Sequence, residues 1–322
     1  MSLTARPGRR PRGGYTLLEV IVVMAVLAVL FTMIALFFPN FQGRQQAESG
    51  ASSLSGWLLI AKQQAKRDGR PTGLRFIPLT GNANFVTQMQ YIQQPDDFAI
   101  GTYTGPSTSN TIAQFTGVDF TQTYSIAGSS EPFQVQAGDY LEIYGGGPLR
   151  RIAPGGVGKT TLTLEMTTTP LPTAPSSAAT ATNYRIIPRA RTLSGDVSLS
   201  LPNTSNDPNY PSVVIDFGKY ASVNNNKPLS NAPQVSGQTY YEILFAPSGA
   251  VIGDSTTLGQ IYLWVHDGSQ KATNQLQGGT VTAGTPTLIC VQTRTGFIAA
   301  QAVNPDATDP FAFARDARSS GM

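Results

Sequence analysis

The sequence predicts an α+β fold, in which a long N-terminal helix packs on an enlarged, β-rich globular head. Three observations carry this. Residues 20–38 form a run of 19 residues without a charge, long enough at helical rise to cross a bilayer. An amphipathic stripe continues the helix to Asp68. From residue 73 the chain breaks into short apolar runs divided by turns, in keeping with its 32 Gly and 23 Pro.

The boundaries follow from that division: a leader over 1–14, a helix over 15–68 with its transmembrane part at 15–38, a head over 69–302 and a C-terminal tail over 303–322. Arg6, Arg9, Arg10 and Arg12 lie in the first fourteen residues, which contain no acid. Without them 18 basic face 19 acidic side chains, so the alkaline pI belongs to the leader and the body has no global excess to attract phosphate. The leader arginines are expected to stay on the cytoplasmic side. An ordinary secretory signal would place small residues after the apolar run, and Ala35-Leu-Phe-Phe-Pro39-Asn does not.

In the second half of the helix Ala47, Ala51, Leu54, Leu58, Ala61 and Ala65 recur every three or four residues, one apolar face. Asp68-Gly69-Arg70-Pro71 ends it, Gly taking a left-handed cap and Pro barring continuation. Pro39 predicts a kink or local unwinding near residues 37–40. Strands are expected at 73–77, 85–93, 140–144, 160–165, 184–187, 213–217, 240–245, 260–265, 288–292 and 296–300. Polar stretches at 167–182, 203–209 and 221–237 read as exposed loops.

Glu19 stands at the start of the apolar run, where an acid is costly and needs a partner. Alone it would read rather as a solvated interfacial acid on a plain anchor. The string Gly13-Gly14-Tyr15-Thr16-Leu17-Leu18-Glu19-Val20, behind the arginines, resembles the class III signal of type IV prepilins and type II secretion pseudopilins. The resemblance implies cleavage after Gly14 by a prepilin peptidase that then methylates Tyr15. It also implies a filament-assembly role for Thr16 and Glu19, the fifth residue of the mature chain. Tyr15 in place of the commoner Phe is the one departure. Two blocks, residues 54–77 and 241–298, are similar to the GspH/FimT branch, leaving the region between as an enlargement.

On that resemblance the chain is a filament subunit, a minor pseudopilin exporting protein, with a minor type IV pilin for adhesion or DNA uptake as the alternative. A membrane-anchored binding module or an anchored enzyme would come next. The implied partners are the prepilin peptidase/methyltransferase, other pilins or pseudopilins, the inner-membrane assembly platform and the lipid bilayer. The implied location is the bacterial inner membrane, single-pass with the head outside the cytoplasm, and then a periplasmic or surface filament. No catalytic residue, cofactor or metal site is expected. Ala153-Pro-Gly-Gly-Val-Gly158-Lys159-Thr160 has the loose form of a phosphate loop, but residues 160–165 alternate like a strand where that loop needs a helix. Pro154 to Gly158 reads instead as a turn. His266, the single histidine, sits at a strand end; Cys290 reads as a buried strand residue. Arg294, Arg315 and Arg318 are read as solvated charge rather than a nucleic-acid surface.

Overall fold

A computed structural model describes residues 15–107, 110–125, 132–144, 147–165, 170–173, 184–193, 198–205, 211–219, 227–235, 238–253, 258–268, 286–304 and 309–316, with the side chains of 34–44 outside this description. The architecture is α+β: an N-terminal helix and a large β head. Helix α1 (Leu17–Asp68) has 52 residues, roughly 80 Å at 1.5 Å per residue. It runs without interruption across Pro39, so the expected unwinding does not occur; one missing N–H leaves the neighbouring turns bonded. The helix ends at Gly69, whose φ of 66° is left-handed.

The main sheet is antiparallel throughout, in the order β15-β14-β1-β2-β13-β16-β17-β18, with β11 and β12 also paired to β2. Its strands are β1 (Thr72–Leu79), β2 (Asn82–Gln93), β11 (Arg191–Thr192), β12 (Leu199–Ser200), β13 (Val214–Asp216), β14 (Tyr241–Phe245), β15 (Val251–Ile252), β16 (Gln260–His266), β17 (Thr287–Gln292) and β18 (Phe297–Ala302). Strand β1 bridges distant sequence, pairing Phe76 with both Met89 and Tyr241. One face of the sheet meets α1. Leu54, Leu58, Ala61 and Ala65 are wholly buried with Leu74, Phe76, Ile243, Phe245, Ile261, Leu263 and Ile289. Alternation sends Trp264, Leu288 and Cys290 to the other face, where Leu229, Phe311 and Ala314 cover them. Ala314 belongs to the short helix α2 (Ala312–Asp316).

The enlargement is a second sheet, in the order β10-β7-β8-β9-β4-β3. It consists of β3 (Thr102–Pro106), β4 (Ile112–Thr116), β7 (Tyr140–Ile143), β8 (Arg150–Val157), β9 (Thr161–Leu164) and β10 (Tyr184–Ile187), beside the hairpin β5 (Tyr124–Ser125) and β6 (Pro132–Phe133). Its core is its own and is aromatic, holding Phe98, Tyr103, Phe115, Phe120, Phe133 and Tyr184. Phe115 and Phe120 meet edge to face at 4.9 Å, a favourable quadrupole arrangement.

Two sequence expectations change. Pro154 to Val157 belongs to β8 through an irregular register against β9, not to a turn; the turn itself is closed by Gly158 N–H donating to Thr161 O. Within the stretches read as exposed loops, Leu171, Leu229, Ser230 and Ala232 are buried. Ser230 Oγ accepts from Trp264 N–H, and Asn231 N–H donates to Tyr262 O. A polar segment thereby completes a strand edge, which composition cannot reveal.

Candidate processing and assembly site

Thr16 starts α1. Its backbone is extended, with φ −74° and ψ 151°, and its Oγ1 accepts from Glu19 N–H at 3.3 Å. Its carbonyl accepts from Glu19 N–H at 3.0 Å and Val20 N–H at 3.2 Å. Thr16 is therefore the N-cap, satisfying a donor that the first turn leaves unpaired. Glu19 is in that first turn, where the positive end of the helix dipole favours a carboxylate. The capping role of Thr16 was missed in the sequence, although Thr-Leu-Leu-Glu has the threonine-to-glutamate spacing of a capping box.

Beyond this start the helix is bare. Tyr15 is 82% exposed and Leu17 80%, and Val20, Ile21, Val22, Val23, Met24, Val26, Leu27, Val29, Leu30, Phe31 and Met33 are all exposed. A helix that is apolar all round belongs in lipid or against other chains. Among the described residues no helix is long and apolar enough to cross a membrane. The expected span over 15–38 is not recovered there, since the described side chains in this run stop at Met33. Gly14, Arg6, Arg9, Arg10 and Arg12 lie outside the described residues.

The second half of α1 is fastened to the head. Lys62 Nζ donates to Thr295 O at 3.0 Å and Gly296 O at 2.8 Å, in the turn between β17 and β18. Gly296 (φ 57°) leaves no room for a side chain, because a Cβ there would lie 2.0 Å from Gly249 O. Two hairpin turns are thus pressed together beneath one lysine. Partial burial, and then Lys66, lower the Lys62 pKa.

The remaining singled-out residues have structural places. Lys159 is exposed, 3.9 Å from Asp119, and strand β9 follows it. His266 ends β16, wholly buried; Nε2 is 3.0 Å from Asp216 Oδ2 and Nδ1 2.7 Å from Asp267 O. Both ring nitrogens are engaged, and Asp216 comes from β13, a partner invisible in local sequence. Burial pushes the Cys290 thiol up to about 11, away from the reactive thiolate. Arg294 is exposed, Arg315 pairs with Asp309, and Arg318 lies outside the described residues. Among the described residues no three His, Cys, Asp or Glu converge as metal ligands.

No curated protein and no solved structure matches the chain. Residues 9–35 match the prokaryotic N-terminal methylation motif, which implies processing by a prepilin peptidase and assembly with other pilins. That motif marks a structural, pilin-type subunit and supports a type IV pilin-like, prepilin-type family for this chain.

Proposed function

We propose that this chain is a minor pseudopilin of a type II secretion system, anchored in the inner membrane by residues 15–38 and built into a short filament through α1. The observation carrying the reading is the methylation motif over 9–35 on an apolar helix that is exposed among the described residues. The size of the head favours a minor subunit, because closely spaced neighbours in a filament must accommodate it.

In this reading the peptidase cuts after Gly14, removing four arginines and exposing the Tyr15 amine, which is then methylated. The new cation lies one residue before the Thr16 cap. Glu19 carries the complementary charge, and an unpaired ion in a low-dielectric filament core costs several kcal/mol. Pairing Glu19 of one subunit with the Tyr15 amine of the next removes that cost and sets the axial register. The Thr16 bond to Glu19 N–H keeps the first turn helical, so the carboxylate is presented from a fixed backbone.

Intact-mass measurement on membrane-extracted protein tests the processing step. The expected product has 308 residues, from 322 less the 14 of the leader, and carries one methyl group on Tyr15. A retained leader in cells with active peptidase, or a cut after residue 38, overturns the reading.

A further inference from the structure

The second sheet holds a short piece of the chain in an unusual way. Residues 170–173, Pro-Leu-Pro-Thr, form no strand, yet three side chains bind three of their four carbonyls. Arg150 Nη2 donates to Pro170 O at 2.9 Å, Tyr103 OH to Pro172 O at 2.8 Å and Tyr144 OH to Thr173 O at 3.1 Å. Leu171 is buried in the aromatic core, while Pro170 and Thr173 face outward. Two of the four residues are prolines, which have no N–H. The groove offers donors and the segment offers mainly acceptors, the complementarity by which Pro-x-Pro peptides are read.

Two further observations set this groove apart from an ordinary loop tie. Tyr144 is the only non-glycine among the described residues with positive φ, 66°, a backbone strain of the kind concentrated at binding sites. Arg150 is 3% exposed, and its Nε has no hydrogen-bond partner. Its neighbour Arg151 has a carboxylate in Glu165, whereas Arg150 forms no ion pair among the described residues and is held by a carbonyl alone. A buried guanidinium without an anion is costly, and the resident segment leaves its charge uncompensated. The Tyr103 phenol, raised to about 12 chiefly by burial and then by Tyr144, against a lowering by Arg150, remains a donor at neutral pH.

We propose that Tyr103, Tyr144 and Arg150 form a peptide-binding groove, that residues 170–173 are its built-in occupant, and that an acidic Pro-x-Pro segment of a partner protein displaces them. The incoming segment keeps the carbonyl bonds and the apolar anchor, and adds the carboxylate that Arg150 lacks. That added charge offsets the advantage of the tethered segment, whose effective concentration is of the order of millimolar.

The test uses the full chain and two fluorescent peptides. One reproduces residues 168–175, Thr-Thr-Pro-Leu-Pro-Thr-Ala-Pro; the other has glutamate as its second residue. Leu171→Asp releases the resident segment by placing a charge in the aromatic core. The released chain is expected to bind both peptides by anisotropy, the acidic one about tenfold more tightly for a charge-assisted contact. Arg150→Met in the same background should remove that preference. A folded Leu171→Asp chain that binds neither peptide up to about 1 mM overturns the proposal, as does exchange of residues 170–173 between two copies without peptide capture. Should Leu171→Asp fail to fold, the wild-type chain is exposed to the acidic peptide carrying a photoreactive leucine. Crosslinks within residues 140–152 support the groove, and their absence at millimolar peptide rejects it.

Discussion

The two halves of α1 are one uninterrupted helix with opposite fates. From Ala47 onward most apolar residues fall on one stripe, and Ala47, Ala51, Leu54, Leu58, Ala61 and Ala65 are all buried, with Leu59 and Ile60 exposed off the stripe. Before Met33 they lie on all sides and are exposed. Backbone conformation is the same in both, so it is the spacing of side chains that decides whether a helix is satisfied by its own head or must find cover elsewhere. Four substitutions, one of them with a paired control, break or sharpen this contrast.

The largest effect is expected at Glu19. Glu19→Val should leave processing and membrane insertion intact but reduce incorporation into filaments by a hundredfold or more, from the roughly 3–5 kcal/mol lost when a buried pair is left with one partner. Crosslinking to neighbouring subunits in membranes and sheared filaments measures it. Wild-type incorporation would remove the pairing argument while leaving the contrast between halves untouched.

Next is Leu54→Ala, which should destabilise the head by about 2–5 kcal/mol in denaturant unfolding, since Leu54 is wholly buried against the main sheet. The paired control is Leu27→Ala, expected to stay within about 0.5 kcal/mol because Leu27 is exposed among the described residues. Equal losses would mean that the first half also packs on the head.

Lys62→Met is expected to cost about 1–3 kcal/mol, keeping the aliphatic stem but removing two charge-assisted bonds to the β17–β18 turn. Protection of the amides around Gly296 from hydrogen exchange reports it directly. An unchanged exchange rate would show that the stem, not the ammonium, fastens the helix.

Smallest is Thr16→Ala, worth about 1 kcal/mol of local helix stability. It should fray the first turn, seen by hydrogen exchange at Glu19 and Val20, without moving the unfolding midpoint of the head. A shift of the midpoint would couple the two halves.

The elements with strong periodicity were legible: the stripe from Ala47 to Ala65, the Gly69 cap, and strands such as β2, β10, β16 and β17. Legibility failed for physical reasons that differ from place to place. Strand β3 contains Gly105 and Pro106, residues that interrupt a strand pattern, and it pairs with β4 through a bulge. Strands β5, β6, β11, β12 and β15 are two residues long, too short for an alternation to register, and exist because a neighbouring strand offers an open edge. The helix start was partly legible: the prepilin-like string drew attention to Thr16 and Glu19, while the hydrogen bond joining their backbone and side chain is a matter of geometry. Asp216 beside His266, and the meeting of Tyr103, Tyr144 and Arg150 around residues 170–173, depend on long-range pairing that no local window contains.

That long-range pairing also fixes an order of events. Strand β1 cannot complete its sheet until Tyr241 and Phe245 have left the ribosome, because they are its partners. The second sheet draws only on residues between Thr102 and Ile187, and Phe98 and Ile186 close it off through reciprocal backbone bonds of 2.9 and 2.8 Å. It can therefore close first, and once it does the chain between Gln93 and Arg191, neighbours in the main sheet, is no longer a long free loop. Since loop closure costs entropy that grows with length, a folded insertion shortens the remaining search and speeds the final pairing. The enlargement is then an assembly jig for the head as well as its largest addition.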